Sequence, residues 1–187
     1  MKPPQRLLAG DRVRLTAIEA ADYAEIASWS ADSGYLRNLR TSGAAPESTE
    51  HVAAFGAADA ADPNRFSFAI RENDQPDIIG IALIKDIEWP NRSGWLAIGI
   101  GKETHRGRGL GSETVGLLVD FAFGELNLRR LSLSVISYNQ RAVKTYLRFG
   151  FVEEGVLRKA IERDGSHHDL LIMGLLASER PGSSEAG

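Results

Sequence analysis

The chain has 187 residues, 43% of them hydrophobic and 25% charged, which is enough for one well-buried core and short for two. A formal net charge of −3 excludes a broad nucleic-acid footprint and suits a cationic substrate, while local basic clusters can still hold a small anion. With no cysteine there is no disulfide, thiol nucleophile or thiolate metal site; no stretch reaches the ~20 apolar residues of a membrane span, and MKPPQRLLAGDR lacks a secretory core, so a cytosolic protein is expected.

RVRLTAI, residues 12–18, alternates as a strand, and EAADYAEIASWSAD carries apolar residues at helical spacing. PESTEHVAAFGAA marks a second helix start through its proline, serine and glutamate. RFSFAIRE (65–72) and DIIGIALIKDIEW read as a hairpin around NDQP, and after the turn NRSG comes the strand WLAIGIG (95–101). THRGRGLGSET then leads into a helix from Gly109 to about Glu125, with Val115, Leu118, Val119, Ala122 and Leu126 on one face. LSLSV (131–135) is a strand; NQRAVKTYLRFGF is a short amphipathic helix closed by Gly150. EGVLRKAIERDG and HHDLLIMGLL form a last hairpin around Asp164-Gly165. The order predicts a mixed α/β sheet, not a doubly wound parallel one. Residues 1–177 are expected to form a single domain, and the polar tail 178–187 to be disordered.

A strand that runs into glycines and then a helix presents free amides and a positive dipole end to a phosphate. Gly107, Gly109 and Gly111 with Leu110 let the main chain approach closely, Ser112 can cap or donate, and Arg106 and Arg108 add positive charge. The P-loop pattern fails because Gly101-Lys102 is followed by Glu103, and the dinucleotide fingerprint fails because the glycines stand as G-x-G-x-G in mid-chain. Downstream, Asn139 and Tyr146 are seven residues apart on one helix, close to two turns, so both face the same side. The four histidines are not spaced as metal ligands, and no metal is expected.

The pattern R-x-x-G-x-G at Arg106, Gly109 and Gly111 resembles the diphosphate-binding signature of the GNAT superfamily of acetyl-CoA-dependent N-acetyltransferases. N-x-x-A-x-x-x-Y-x-x-x-G-F, with Asn139, Ala142, Tyr146, Gly150 and Phe151, is similar to its second signature. The ending, with Gly155, Leu157, Arg158, Asp164-Gly165, Asp169 and Met173, resembles the branch that includes the ribosomal-protein-alanine N-acetyltransferases. The resemblance covers roughly residues 12–176. It implies a mostly antiparallel central sheet, flanked by helices, whose fourth and fifth strands splay apart, so that main-chain groups at Ile98, Gly99 and Ile100 meet the pantetheine arm. It further implies acetyl-CoA as co-substrate, Asn139 and Ala142 beside the arm, and Tyr146 as the acid for the departing thiolate. An amine acceptor, a small molecule or a protein N-terminus, would attack directly, and relatives of the family are often homodimers. Glu88 is the first choice of base, with Asp86 and Glu103 as alternatives; many relatives carry an acid where this chain has Trp95. Acceptor contacts are expected from residues 20–29 and 35–55 and from the turn 88–93, where Trp89 and Pro90 suit a pocket wall. The alternative from another class is a non-catalytic acyl-CoA sensor on the same scaffold.

Overall fold

The computed structural model describes residues 7–180. Seven strands form one sheet in the order β1-β2-β3-β4-β5-β7-β6: β1 Val13–Thr16, β2 Phe66–Glu72, β3 Ile78–Glu88, β4 Ser93–Ile100, β5 Arg130–Ile136, β6 Val152–Arg163 and β7 Ser166–Leu176. All neighbours are antiparallel except β4 and β5, which run parallel and pair only through Ser93–Arg130, Gly94–Leu131 and Trp95–Ser132. From Leu96 to Ile100, β4 has no strand on its β5 side among the described residues. The splayed sheet implied by the resemblance is therefore present, and it is the feature that creates room for a ligand.

The helices are α1 Tyr23–Ser28, α2 Ser33–Leu39, α3 Thr49–Ala61, α4 Leu110–Asp120 and α5 Gln140–Arg148. The helical run expected after residue 18 arrives as short pieces, with single 3-10 turns at Ala20–Asp22 and Trp29–Ala31 on either side of α1. What holds these pieces is tertiary. Asp22 accepts from Arg71 of β2 at 2.7 Å, and both side chains are nearly buried. Asp32 caps α2 by accepting the Tyr35 amide at 3.0 Å, and Ser48 caps α3 through His51, as side-chain oxygens do at a helix start. The long helix expected to reach Glu125 follows α-geometry to Asp120 and finishes in one π-helical turn, Phe121–Glu125.

The main core lies between the sheet and α4 with α5. It gathers Leu15, Ile70, Ile84, Leu96, Leu118, Leu131, Leu133, Phe151 and Met173, with Tyr146 at its border. A smaller cluster of Trp29, Tyr35, Leu36, Ala69 and Ile78 closes the opposite face under α1 and α2. Along β4 the period of two sends Leu96, Ile98 and Ile100 to the α4 side, while Gly99 faces Tyr35 of α2. The last hairpin turns at Asp164 and Gly165, with φ of 52° and 72°, the left-handed pair that such a two-residue turn requires. Residues Ala177–Glu179 add a 3-10 turn, and Arg180 bonds Asp120 at 2.5 Å. Of the expected tail, residues 178–180 are described and residues 181–187 lie outside the described residues.

Candidate active site

The glycine-rich stretch forms the turn between β4 and α4. Gly107 and Gly109 have φ of 78° and 84°, a conformation that a side chain would strain, and this accounts for two of the three glycines. Gly109 is the residue before α4, whose first intrahelical bond is Glu113 N–H to the Gly109 carbonyl at 3.1 Å. The amides of Leu110, Gly111 and Ser112 precede that bond and have no partner among the described residues, which makes them ready donors to an anion. Arg12 braces the turn from β1's edge. It donates to Glu113 Oε2 at 3.1 Å and to the Arg108 carbonyl at 2.8 Å, and its own amide bonds Glu113 Oε1 at 2.8 Å. Neither Arg12 nor Glu113 has a local sequence signal for this role, since the partners lie a hundred residues apart.

The gap between β4 and β5 opens beside this turn into a cleft of 1050 Å³, larger than the sites that hold drug-sized ligands (about 300–1000 Å³). Ile98, Gly99, Ile100, Arg106, Gly107, Gly109, Gly111, Ser112, Asn139, Ala142 and Tyr146 all line it. Three expected site residues do not. Leu110 is 1% exposed and packs in the core, so only its amide faces the turn. Arg108 points away to Glu72, 2.9 Å distant. Glu88 stands exposed at the end of β3, where Asn91 donates to it at 2.7 Å; the irregular register between Lys85 and Glu88 turns the strand end away from the gap.

Arg106 lines the cleft in an unexpected manner. Its Nε donates to the Ile100 carbonyl at 2.9 Å, one Nη to Asp32 at 2.6 Å, the other to the Gly101 carbonyl, and its guanidinium carbon lies 5.0 Å from the centre of the Tyr35 ring. The guanidinium is therefore a bracket between β4, the turn and α2, not a free cation for a phosphate. The hydrogen bond from Arg106, with help from the Tyr35 amide, holds the Asp32 carboxyl below the ordinary aspartate value. Beside Arg12, Arg141 of α5 also faces the turn: a methyl group on Gly107 would lie 3.7 Å from its Nη1, and its guanidinium has no partner among the described residues.

On α5, Asn139 accepts the Ala142 amide at 3.3 Å, so its side-chain oxygen caps the helix and its amide nitrogen remains for the cleft. Tyr146 is 7% exposed, edge-on to Phe151 at 5.8 Å, and burial pushes its hydroxyl up to about 12. Gly150, at φ 90°, ends the helix, and the Phe151 amide returns to the Tyr146 carbonyl at 3.1 Å. The turn thereby fixes the residue that carries the hydroxyl.

The far end of the cleft is lined by Asn38, Leu39, Arg40, Thr41, Ser42, Lys85, Trp95 and Ser134. The 88–93 turn, with Trp89 and Pro90, is not among the lining residues. Arg40 pairs with Glu47 at 2.8 Å and Lys85 with Asp86 at 2.9 Å. Arg163 of the terminal hairpin donates to the carbonyls of Arg40, Thr41 and Ser42 and so fixes the loop after α2. Among the described residues no group of three or more His, Asp or Glu is placed to hold a metal ion, and no helix is long and apolar enough to cross a membrane.

An acetyltransferase (GNAT) domain model matches residues 12–152. The chain belongs to the GNAT family. The spermidine N(1)-acetyltransferase of Vibrio cholerae is 33% identical over 114 residues, 61% of this chain and 65% of that protein. A putative ribosomal N-acetyltransferase of Bacillus subtilis is 30% identical over 105 residues, 56% of this chain and 57% of that one. The matched stretches thus span less than two thirds of these GNAT relatives' length. Among solved structures, the V. cholerae spermidine N-acetyltransferase in complex with CoA and spermine superposes with a TM-score of 0.81 at 25% identity, covering 89% of this chain and 96% of that one.

Proposed function

We propose that the chain transfers an acetyl group from acetyl-CoA to a primary amine of a small molecule or a peptide N-terminus, with both substrates in the cleft at once. One observation carries the reading: Gly111 and Ser112 with their unpartnered amides, the strandless part of β4 and Tyr146 line a single cleft. Bound acetyl-CoA would supply an acyl carbon activated by its thiol leaving group. The chain's own groups divide the remaining work. The amides of Leu110, Gly111 and Ser112, with Arg141, hold the diphosphate. The Asn139 amide and the main chain at Ile98, Gly99 and Ile100 hold the arm, with Ala142 beside it. Tyr146, a neutral phenol at pH 7 that burial pushes further up to about 12, gives its proton to the departing sulfur.

An ammonium must lose a proton before it attacks. The carboxylates lining the cleft are Asp32, tied to Arg106, and Glu103, in the turn after β4; the far end has none, and its cations already have partners. This supports an acceptor that is partly neutral near pH 7, such as an α-amine (pKa about 7.7–8.0), over a strongly basic polyamine. The same reading carries the family's dimer as a proposal, tested by the mass in solution.

Thiol release from acetyl-CoA, measured across a panel of peptide α-amines, amino acids, spermidine and aminoglycosides, tests the assignment. Release with a peptide α-amine, faster than with spermidine, is the expected result. No release with any amine, although acetyl-CoA binds, would replace the enzyme with a binding module.

A further inference from the structure

Tyr35 faces the cleft from the wall opposite Tyr146, and nothing in the family's two signatures points to it. Its hydroxyl overhangs β4: a methyl group at Gly99 would stand 2.7 Å from the oxygen. The position lies within the segment, Leu96–Ile100, that has no strand on the β5 side among the described residues. The side chain is 9% exposed and lines the cleft, yet the hydroxyl has no hydrogen-bond partner among the described residues.

Tyr35 lines the cleft, and with no partner among the described residues its hydroxyl donor is available to a ligand there. The ring is also placed with little freedom. Trp29 packs edge-on at 6.2 Å, Arg106 lies over the ring at 5.0 Å, and Asp32 holds the residue's own amide at 3.0 Å. Burial, only partly offset by Arg106 and Arg40, raises the hydroxyl to about 12, so it is a donor and not a base at neutral pH.

We propose that the Tyr35 hydroxyl is a catalytic residue that donates a hydrogen bond to the acyl oxygen of the bound thioester, opposite the main-chain donors of β4. This rests on the acetyl-transfer reading above. As the amine nitrogen bonds the acyl carbon, the carbonyl electron pair moves onto that oxygen, where Tyr35 and the nearby Arg106 charge stabilise it. When the C–S bond breaks, the pair returns, the sulfur leaves with the proton of Tyr146, and the nitrogen's proton passes through water to restore the Tyr146 phenol. Gly99 is glycine because any side chain would displace the donor.

The discriminating ligand is CoA itself, which has no acyl oxygen. Calorimetry with Tyr35→Phe should show acetyl-CoA weakened by about 5-fold and CoA unchanged. The infrared carbonyl stretch of isotope-labelled acetyl-CoA should lie lower when bound to the native protein than to the variant. Turnover should fall on the order of 100-fold with the acceptor KM unchanged. Gly99→Ala, which displaces the hydroxyl, should mimic these effects, and adding it to Tyr35→Phe should cost less than in the native background. Equal weakening of CoA and acetyl-CoA, an unshifted stretch, or a change confined to acceptor KM would overturn the proposal while leaving acetyl transfer in place. A native protein that binds neither ligand would overturn both.

Discussion

The two ends of the cleft are built on different principles. The end proposed for the diphosphate is made of main chain: a left-handed glycine pair, three open amides and a helix start, all within residues 107–112. The far end is made of side chains from distant segments. There Arg163 ties the loop after α2, Asp164 pairs with Arg37 at 2.6 Å, and the Tyr138 hydroxyl donates to the Arg37 carbonyl. Backbone geometry at one end fixes one ligand chemistry for a whole family, whereas side-chain ties at the other allow acceptors to change while the sheet stays the same.

The contrast can be broken or sharpened by substitution. Tyr146→Phe, at the junction of the two ends, should have the largest effect: turnover lower on the order of 100-fold or more, with acetyl-CoA affinity within about twofold. Gly109→Ala forces a side chain into φ 84° and toward Arg12, so CoA affinity by calorimetry should fall about tenfold. Gly165→Ala meets similar strain at φ 72° with nothing near it, and should leave CoA affinity unchanged. If both variants bind CoA equally well, the amide cradle is not where the diphosphate sits.

Asp32→Asn retains a helix cap but removes the charge opposite Arg106; the acceptor KM should rise about threefold while CoA affinity holds. Alkaline titration is a milder probe. Tyr35 and Tyr146 are raised from 10.0 to about 12 in the fold, so the unfolded chain releases their protons first. The stability they contribute is complete below pH 10 and lost between about 10 and 12. Tyrosinate absorbance should show two of the four tyrosines lagging, and Tyr35→Phe or Tyr146→Phe should each remove one. Asp164→Asn, which removes the charge but suits the same left-handed turn, should do least: the carboxylate is 77% exposed, and the melting midpoint should not move measurably.

Legibility followed the same division. The glycine turn, the α5 helix with its Gly150 stop and the Asp164-Gly165 hairpin are local features, and their residues announce them. The splay of β4 from β5 came through the family resemblance, whereas their parallel pairing over three residue pairs emerges only in the fold. Insertion of β7 between β5 and β6 is set by pairing across the chain, which period-two patterns do not encode. Arg106 read as a phosphate ligand because its motif says nothing of Asp32, seventy-four residues away. Glu88 read as a base because its place in β3 is local, while the irregularity after Lys85 that turns it outward depends on β4. Tyr35 lay within the segment expected to meet the acceptor, but its relation to Gly99 exists only once α2 rests on the sheet.

Three residue pairs join the two parts of the sheet, and beyond them nothing on the strand side holds β4 to β5. A sheet joined this way is a clasp whose missing tooth is the ligand. Whatever lies along Leu96–Ile100 substitutes for a strand, so occupancy should slow hydrogen exchange at those amides and along the facing edge of β5. Under the proposed function, coenzyme becomes a mechanical member of the fold, and each departure of product leaves the protein softest along Leu96–Ile100.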